Sequence, residues 1–236
     1  MRTAGIIKNS LIDFAGVRAY VIFTQGCNFR CLYCQNAELA KFFDSSYGED
    51  DRLIIIFKDL KKLRKKLDGV VITGGEPTVH KDLPEFIQRI KEMGYLVKLE
   101  TNGSNPSMLS QLLDMELLDY IAMDIKAPLK LEDYKELAGQ CISKRTIDNI
   151  KRSIRLLKKS KIQYEVRTTL IKEKHPIESL REICNSIVGC KRFCLQQFDA
   201  EVVFDQKFNN FSAYSLSELE KMLEKIDPQV EEVMIR

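Results

Sequence analysis

Two hydrophobic periods alternate along the chain. Short runs rich in β-branched and aromatic residues fall at 17–25 (VRAYVIFTQ), 69–73 (GVVIT), 95–101 (YLVKLET), 119–125 (DYIAMDI), 162–170 (IQYEVRTTL) and 192–198 (RFCLQQF), and each predicts a strand. The stretches 51–67, 81–93, 105–117, 143–160 and 176–188 lie between them, several with leucine and isoleucine at three- and four-residue spacing, and predict helices. Strands separated by helices imply a parallel sheet built from right-handed crossovers. No Pro/Gly/Ser-rich linker, fixed short repeat or low-complexity tract divides the 236 residues. One domain over 1–236 is therefore expected, with 199–236 as a C-terminal extension.

An open doubly wound sheet and a partial barrel both satisfy this alternation, and the side-chain period within each strand discriminates between them. Parallel strands buried on both faces are apolar throughout. Here Ala122, Asp124 and Lys126 share one face, opposite Ile121, Met123 and Ile125. Glu165, Arg167 and Thr169 share another, opposite Tyr164, Val166 and Leu170, and Lys98 and Glu100 also fall together. Several strands with one charged face favour a curved sheet with helices outside and something polar held inside, a six-unit partial barrel. TGGEPT follows the second strand, ETNG the third and DIKAP the fourth. That carboxyl edge is where parallel α/β architectures build their sites.

Composition narrows the function classes. The chain is 44% hydrophobic and 30% charged, enough for a sizeable core. A net charge of +3, spread through mixed runs, gives no footprint for nucleic acid, and KDLKKLRKK reads as a solvated helix face. No apolar run approaches the length of about eighteen residues that spans a bilayer, and the start MRTAGIIKNSLIDF lacks the core of a signal peptide. A cytoplasmic protein is expected, with no membrane partner. Seven cysteines without an export signal point to metal or redox chemistry on reduced thiols rather than a disulfide framework.

Three of the seven, Cys27, Cys31 and Cys34, lie in GCNFRCLYCQN directly after the first strand. A structural zinc site takes four ligands, usually as two pairs, and no second pair is near. Cys141, Cys184, Cys190 and Cys194 lack C-x2-C spacing, and only His80 and His175 offer imidazole. Three thiolates on a short loop can hold three irons of an iron–sulfur cubane and leave the fourth iron open. Cys184, Cys190 and Cys194 read as buried residues, Cys184 in a helix and Cys194 in a strand, so no second cluster domain is expected.

The loop CNFRCLYC resembles the C-x3-C-x2-C signature of radical S-adenosylmethionine (SAM) enzymes, and TGGEP at 73–77 resembles their second motif. The likeness extends to the six-unit βα plan, so it implies an α/β fold, a partial (βα)6 TIM-like barrel. It also implies a 4Fe-4S cluster on Cys27, Cys31 and Cys34 whose open iron chelates SAM, and reductive cleavage to a 5′-deoxyadenosyl radical. By the same resemblance Tyr33 lies near the adenine. Gly74 and Gly75 admit the methionine amino group, and Glu76 with Pro77 fixes their turn.

A narrower resemblance is to activating proteins of anaerobic ribonucleoside-triphosphate reductase, carried by NSLIDFAGVRAYVIFTQGCNFRCLYCQN. It implies a glycyl radical generated on a large partner, with electrons from a flavodoxin- or ferredoxin-type donor. Within the wider activase group, Asn36, Glu100 and Thr101 are implied to contact SAM, Asp124 to bond its polar groups and Lys126 to pair with its carboxylate. Ala15 stands where proline is expected, and Gln196 and Gln197 where some activases carry a histidine, so this chain departs from the pattern there. Arg167 faces the same interior, and His175 before Pro176 reads as a loop or helix-start residue. The aromatics of 204–214 suit a cap or a partner contact. Two other readings remain: a small-molecule radical SAM enzyme such as a 7-carboxy-7-deazaguanine synthase-like catalyst, and a zinc- or cluster-stabilised binding module.

Overall fold

The computed structural model describes residues 1–40, 51–200 and 210–236. It divides into two compact units, the first comprising 1–28, 38–101 and 107–121, the second 29–37, 102–106 and 122–236.

The first unit carries β1 (Thr3–Ser10), β2 (Ala19–Thr24), α1 (Asp51–Leu63), β3 (Gly69–Gly74), α2 (Leu83–Glu92), β4 (Leu96–Thr101) and nearly all of α3 (Pro106–Asp114). β5 (Tyr120–Asp124) gives its first two residues to this unit and the rest to the second. β2, β3 and β4 are parallel and in register, Ala19 opposite Gly69 and Val71 opposite Lys98. α2 shows why such segments fold as they do. Proline sits in its first turn, where a missing N–H costs nothing, and Leu83, Phe86, Ile87 and Ile90 bury one face.

β1 differs from the expected all-parallel sheet. It runs antiparallel to β2, with Ile6 opposite Ile22, and its sequence TAGIIKNS shows no sustained alternation to announce it. The connection from β1 to β2 opens with the Leu-Ile-Asp-Phe stretch that follows Ser10. Its Phe14 is buried against Ala19, Val21 and Val71, with Val17, Phe23 and Tyr120 at the margin. Phe14 thereby closes the amino-terminal end of this strand face with an apolar plug, while Leu11 and Ile12 beside it are exposed.

The second unit adds α4 (Leu131–Ala138), α5 (Lys144–Lys159), β6 (Gln163–Leu170), α6 (Ile177–Ser186), β7 (Arg192–Gln197), α7 (Leu216–Ile226) and β8 (Glu232–Ile235). β6, β7 and β8 are parallel, Arg167 opposite Cys194 and Cys194 opposite Met234. α5 buries Ile147, Ile150, Ile154 and Leu157, and Ser143 with Thr146 forms its capping box. All six predicted strands and all five predicted helices are present; β1, β8, α4 and α7 are additional. Strand β8 is only four residues long and α4 is only eight, half of them charged, so neither produces a strong period. The signal for α7 was legible, since Ser215 and Glu218 form a capping box ahead of Leu219 and Met222. Of the aromatic stretch 204–214, residues 204–209 lie outside the described residues; Tyr214 donates to the carbonyl of His175 at 2.9 Å.

A close backbone contact follows β3. The Gly75 N–H donates to the Thr24 carbonyl at 2.9 Å, and the Glu76 N–H to the Gly26 carbonyl at 2.8 Å. A Cβ on Gly75 would stand 2.1 Å from the Gly26 oxygen, and one on Gly74, whose φ is +109°, 2.4 Å from the Thr24 nitrogen. The GGE turn is thus laid directly on the backbone that leads into Cys27.

Two stability outcomes follow. Phe14→Ala should lower the unfolding free energy by about 3–5 kcal/mol through transfer and cavity terms together, seen as a lower urea midpoint at unchanged slope. Gly75→Ala should cost about 3 kcal/mol or more, because the clashing atom is backbone and cannot rotate away, and the same titration would show it.

Candidate functional site

In the first unit the motif residues gather at the carboxyl ends of β2, β3 and β4. Cys27 follows β2, and its N–H donates to the Ala40 carbonyl at 3.3 Å while the Gly26 N–H donates to Leu39 at 2.7 Å. Glu76 is 1% exposed. Its Oε1 accepts from the Thr78 N–H at 3.1 Å, from the Thr78 hydroxyl, and from the Thr101 hydroxyl at 2.6 Å. Glu76 therefore caps the short 3-10 turn Pro77–Val79 and ties it to the end of β4, as the sequence expected of a residue fixing that turn. Glu100 accepts from the Thr73 hydroxyl at 3.0 Å on Oε2 and pairs through Oε1 with Lys98 at 2.9 Å.

In the second unit Cys31 and Cys34 sit on a turn, the Cys34 N–H donating to the Cys31 carbonyl at 3.2 Å. The turn is fastened to the C-terminal end of α4. The Arg30 N–H donates to Ala138 at 2.9 Å and the Leu32 N–H to Leu137 at 3.0 Å. Gly139, at φ +100°, lets α4 end against Arg30, whose carbonyl a Cβ would approach to 2.8 Å. Sequence reasoning missed α4 and with it this support; Gly139 was the one available signal, a glycine placed to stop a helix.

A charged cluster lies at the end of β5 in the same unit. Asp124 Oδ2 pairs with Lys126 Nζ at 2.8 Å and Oδ1 with Arg167 Nε at 2.8 Å. Burial would push the Asp124 carboxyl up, but Arg167 and Lys126 outweigh it and hold it well below the usual carboxylate range. Burial likewise opposes the charge on Lys126, and Asp124, then Tyr33 and Cys31, raise its pKa well above the ordinary value. Tyr33 is buried, which raises its phenol well above normal against the pull of Lys126. Tyr33, Asp124, Lys126 and Cys31 are thus electrostatic neighbours. Asn36 is exposed just beyond Cys34.

Two residues hold the turn carrying Lys126. The Tyr134 hydroxyl accepts from the Lys126 N–H at 3.1 Å. His175 is fully buried, which pushes its pKa down; Nδ1 accepts from the Ile171 N–H at 3.1 Å, so Nε2 carries the proton and donates to the Lys126 carbonyl at 3.0 Å. His175 is a bracing residue, in keeping with its expected loop role. Nothing in the sequence pattern pointed to Tyr134. Gln197 donates to the Tyr214 carbonyl at 2.7 Å.

The donor set suits an iron–sulfur cluster. Cys27, Cys31 and Cys34 are unbridged and partly exposed, whereas Cys184, Cys190 and Cys194 are buried and their thiols pushed up, that of Cys184 to about 11, which disfavours thiolate. Among the described residues no three His, Cys, Asp or Glu groups converge to hold a lone metal ion. A cubane makes no such demand, because each thiolate binds a different iron.

Residues 21–187 match the model of the radical SAM superfamily. A Methanocaldococcus jannaschii protein named "Putative glycyl-radical enzyme activating enzyme" is 32% identical over 235 residues, 99% of this chain and 95% of its own. The 7-carboxy-7-deazaguanine synthase of Aquifex aeolicus is 38% identical over 89 residues, 38% of each chain. Among solved structures, Streptococcus suis SuiB bound to S-adenosylmethionine aligns with a TM-score of 0.67 at 15% identity, over 92% of this chain and 49% of that one, a likeness of fold. The fold is the α/β partial barrel of these enzymes. With most of its length matching the family model and a full-length relative at 32% identity, the chain belongs to the radical SAM superfamily, whose enzymes use a 4Fe-4S cluster and SAM.

Proposed function

We propose that the protein is a glycyl-radical-enzyme activase, most specifically one that activates an anaerobic ribonucleoside-triphosphate reductase in the cytoplasm. The observation that carries this reading is the M. jannaschii relative, which matches end to end rather than over a shared motif. On this proposal, Cys27, Cys31 and Cys34 hold the cluster, and SAM lies against Tyr33, Asn36, Gly74, Gly75, Glu76, Glu100, Thr101, Asp124 and Lys126. When bound, the reduced cluster and SAM supply a 5′-deoxyadenosyl radical able to abstract hydrogen from a backbone glycine.

The chain's own residues orient and enclose. Glu76 accepts hydrogen bonds from Thr78 and Thr101 and so contributes chiefly by holding the GGEP turn rigid. Asp124, bridged between Arg167 and Lys126, stays ionised and fixes the ammonium near Tyr33, where it can meet a carboxylate without leaving a buried charge uncompensated. A flavodoxin- or ferredoxin-type donor supplies the electron. The second reading, a 7-carboxy-7-deazaguanine synthase-like enzyme, is favoured only by the local Aquifex match.

Anaerobically reconstituted and reduced protein should convert SAM to 5′-deoxyadenosine, and Cys31→Ala should reduce this to background, measured by chromatography. Mixing it with an anaerobic ribonucleotide reductase should give a glycyl-radical doublet in electron paramagnetic resonance. Formation of 7-carboxy-7-deazaguanine without that doublet would transfer the assignment to the second reading. Lys126→Ala should weaken SAM binding by about tenfold or more, a loss of about 1.4 kcal/mol; unchanged SAM affinity would remove the carboxylate role.

A further inference from the structure

The Ser-Leu-Ile-Asp-Phe turn does more than plug the first unit. Ser10 Oγ accepts from the N–H groups of Ile12 at 3.2 Å and Asp13 at 3.3 Å, and its hydroxyl donates to the Asp13 carboxylate. This closed turn presents the Asp13 carbonyl to the face of β4, where Lys98 Nζ donates to it at 2.6 Å. Lys98 is 4% exposed. Its ammonium also pairs with Glu100 Oε1 at 2.9 Å and lies 5.6 Å from the centre of the Tyr120 ring.

A lysine so placed is costly in isolation, and its position is set by the partners that compensate it. It lies opposite Val71 of the apolar plug in the β3–β4 register, two residues before Glu100 on the same strand face. Both oxygens of Glu100 are then held, Oε1 by Lys98 and Oε2 by Thr73. Two partners on two different oxygens fix the orientation of the carboxylate.

We propose that Lys98 is the positioning residue for Glu100: a buried strut that transmits the fixed geometry of the Ser10–Asp13 turn to the carboxylate at the end of β4. The turn, at the amino end of the strands, thereby sets SAM affinity without touching SAM. This rests on the reading that Glu100 contacts SAM.

The test is equilibrium dialysis of labelled SAM against anaerobically reconstituted, unreduced protein, which reads binding with no turnover. Lys98→Met should weaken SAM about tenfold and Glu100→Gln by a comparable factor. The double variant should bind no more weakly than Glu100→Gln alone, within about twofold, because Lys98 acts through Glu100. A Lys98 variant with wild-type affinity, or one that weakens binding equally in both backgrounds, overturns the proposal while the contact role of Glu100 stands. Wild-type affinity in Glu100→Gln instead removes the contact reading beneath it. Should Lys98→Met fail to fold, Ser10→Ala takes its place. It should weaken SAM about threefold in the Glu100 protein and leave Glu100→Gln unchanged; an equal effect in both backgrounds overturns the proposal.

Discussion

The contact between Gly75 and Gly26 is the constraint on which the site depends. Two backbones meet where a single Cβ would stand 2.1 Å from a carbonyl oxygen, so the second motif is built against the approach to the first cysteine. The glycines were expected to make room for a ligand. Their more immediate effect is to make room for each other's backbone, and the hydrogen bonds from Gly75 to Thr24 and from Glu76 to Gly26 use that proximity. Glu76 extends the bracing to β4 through Thr101. On the proposed reading, in which Cys27 holds the cluster, such stiffness sets the ligand's backbone before the group arrives.

The second consequence concerns charge. Strand faces carrying Lys98 and Glu100 in one unit, and Asp124, Glu165 and Arg167 in the other, would be unstable if their charges lacked partners. In the first unit Lys98 is compensated by Glu100 and the Asp13 carbonyl. In the second, Asp124 bridges Lys126 and Arg167, and Glu165, fully buried, takes both guanidinium nitrogens of Arg236 at 3.1 and 3.0 Å. On the proposed reading Asp124 also serves SAM binding, so Asp124→Ala would disturb both the ion-pair network and the site.

Legibility in the sequence followed signal strength. β2 to β7 were readable because each is a compact β-branched or aromatic run set off by helical stretches, several of them with three- and four-residue spacing. β1 was not, since TAGIIKNS mixes a glycine, a lysine and an asparagine into an edge strand that needs only one good neighbour. The period-two argument identified Lys98, Glu100, Asp124 and Arg167 as face-sharing residues, which the ion pairs bear out. It could not give the more distant partners: Asp13 lies 85 positions from Lys98, and Arg236 lies 71 from Glu165. Chain separation of that kind is set by topology, and no local pattern encodes it. Motif residues were legible by resemblance, whereas the supports that fix them, α4 beneath Cys31 and Tyr134 and His175 around Lys126, were not.

Those supports explain why the recognisable motifs are short. The eight-residue cysteine loop is braced by backbone hydrogen bonds to segments outside it. Cys27 takes its position from β2 and the GGE turn, and Cys31 and Cys34 from the end of α4, so the loop's conformation is imposed from outside itself. The chemistry needs only the thiols; the fold must supply everything that keeps them in place. Outside the motifs, the chain supplies a glycine at 139, where α4 ends against Arg30, and a hydroxyl at 134 that accepts from the Lys126 N–H.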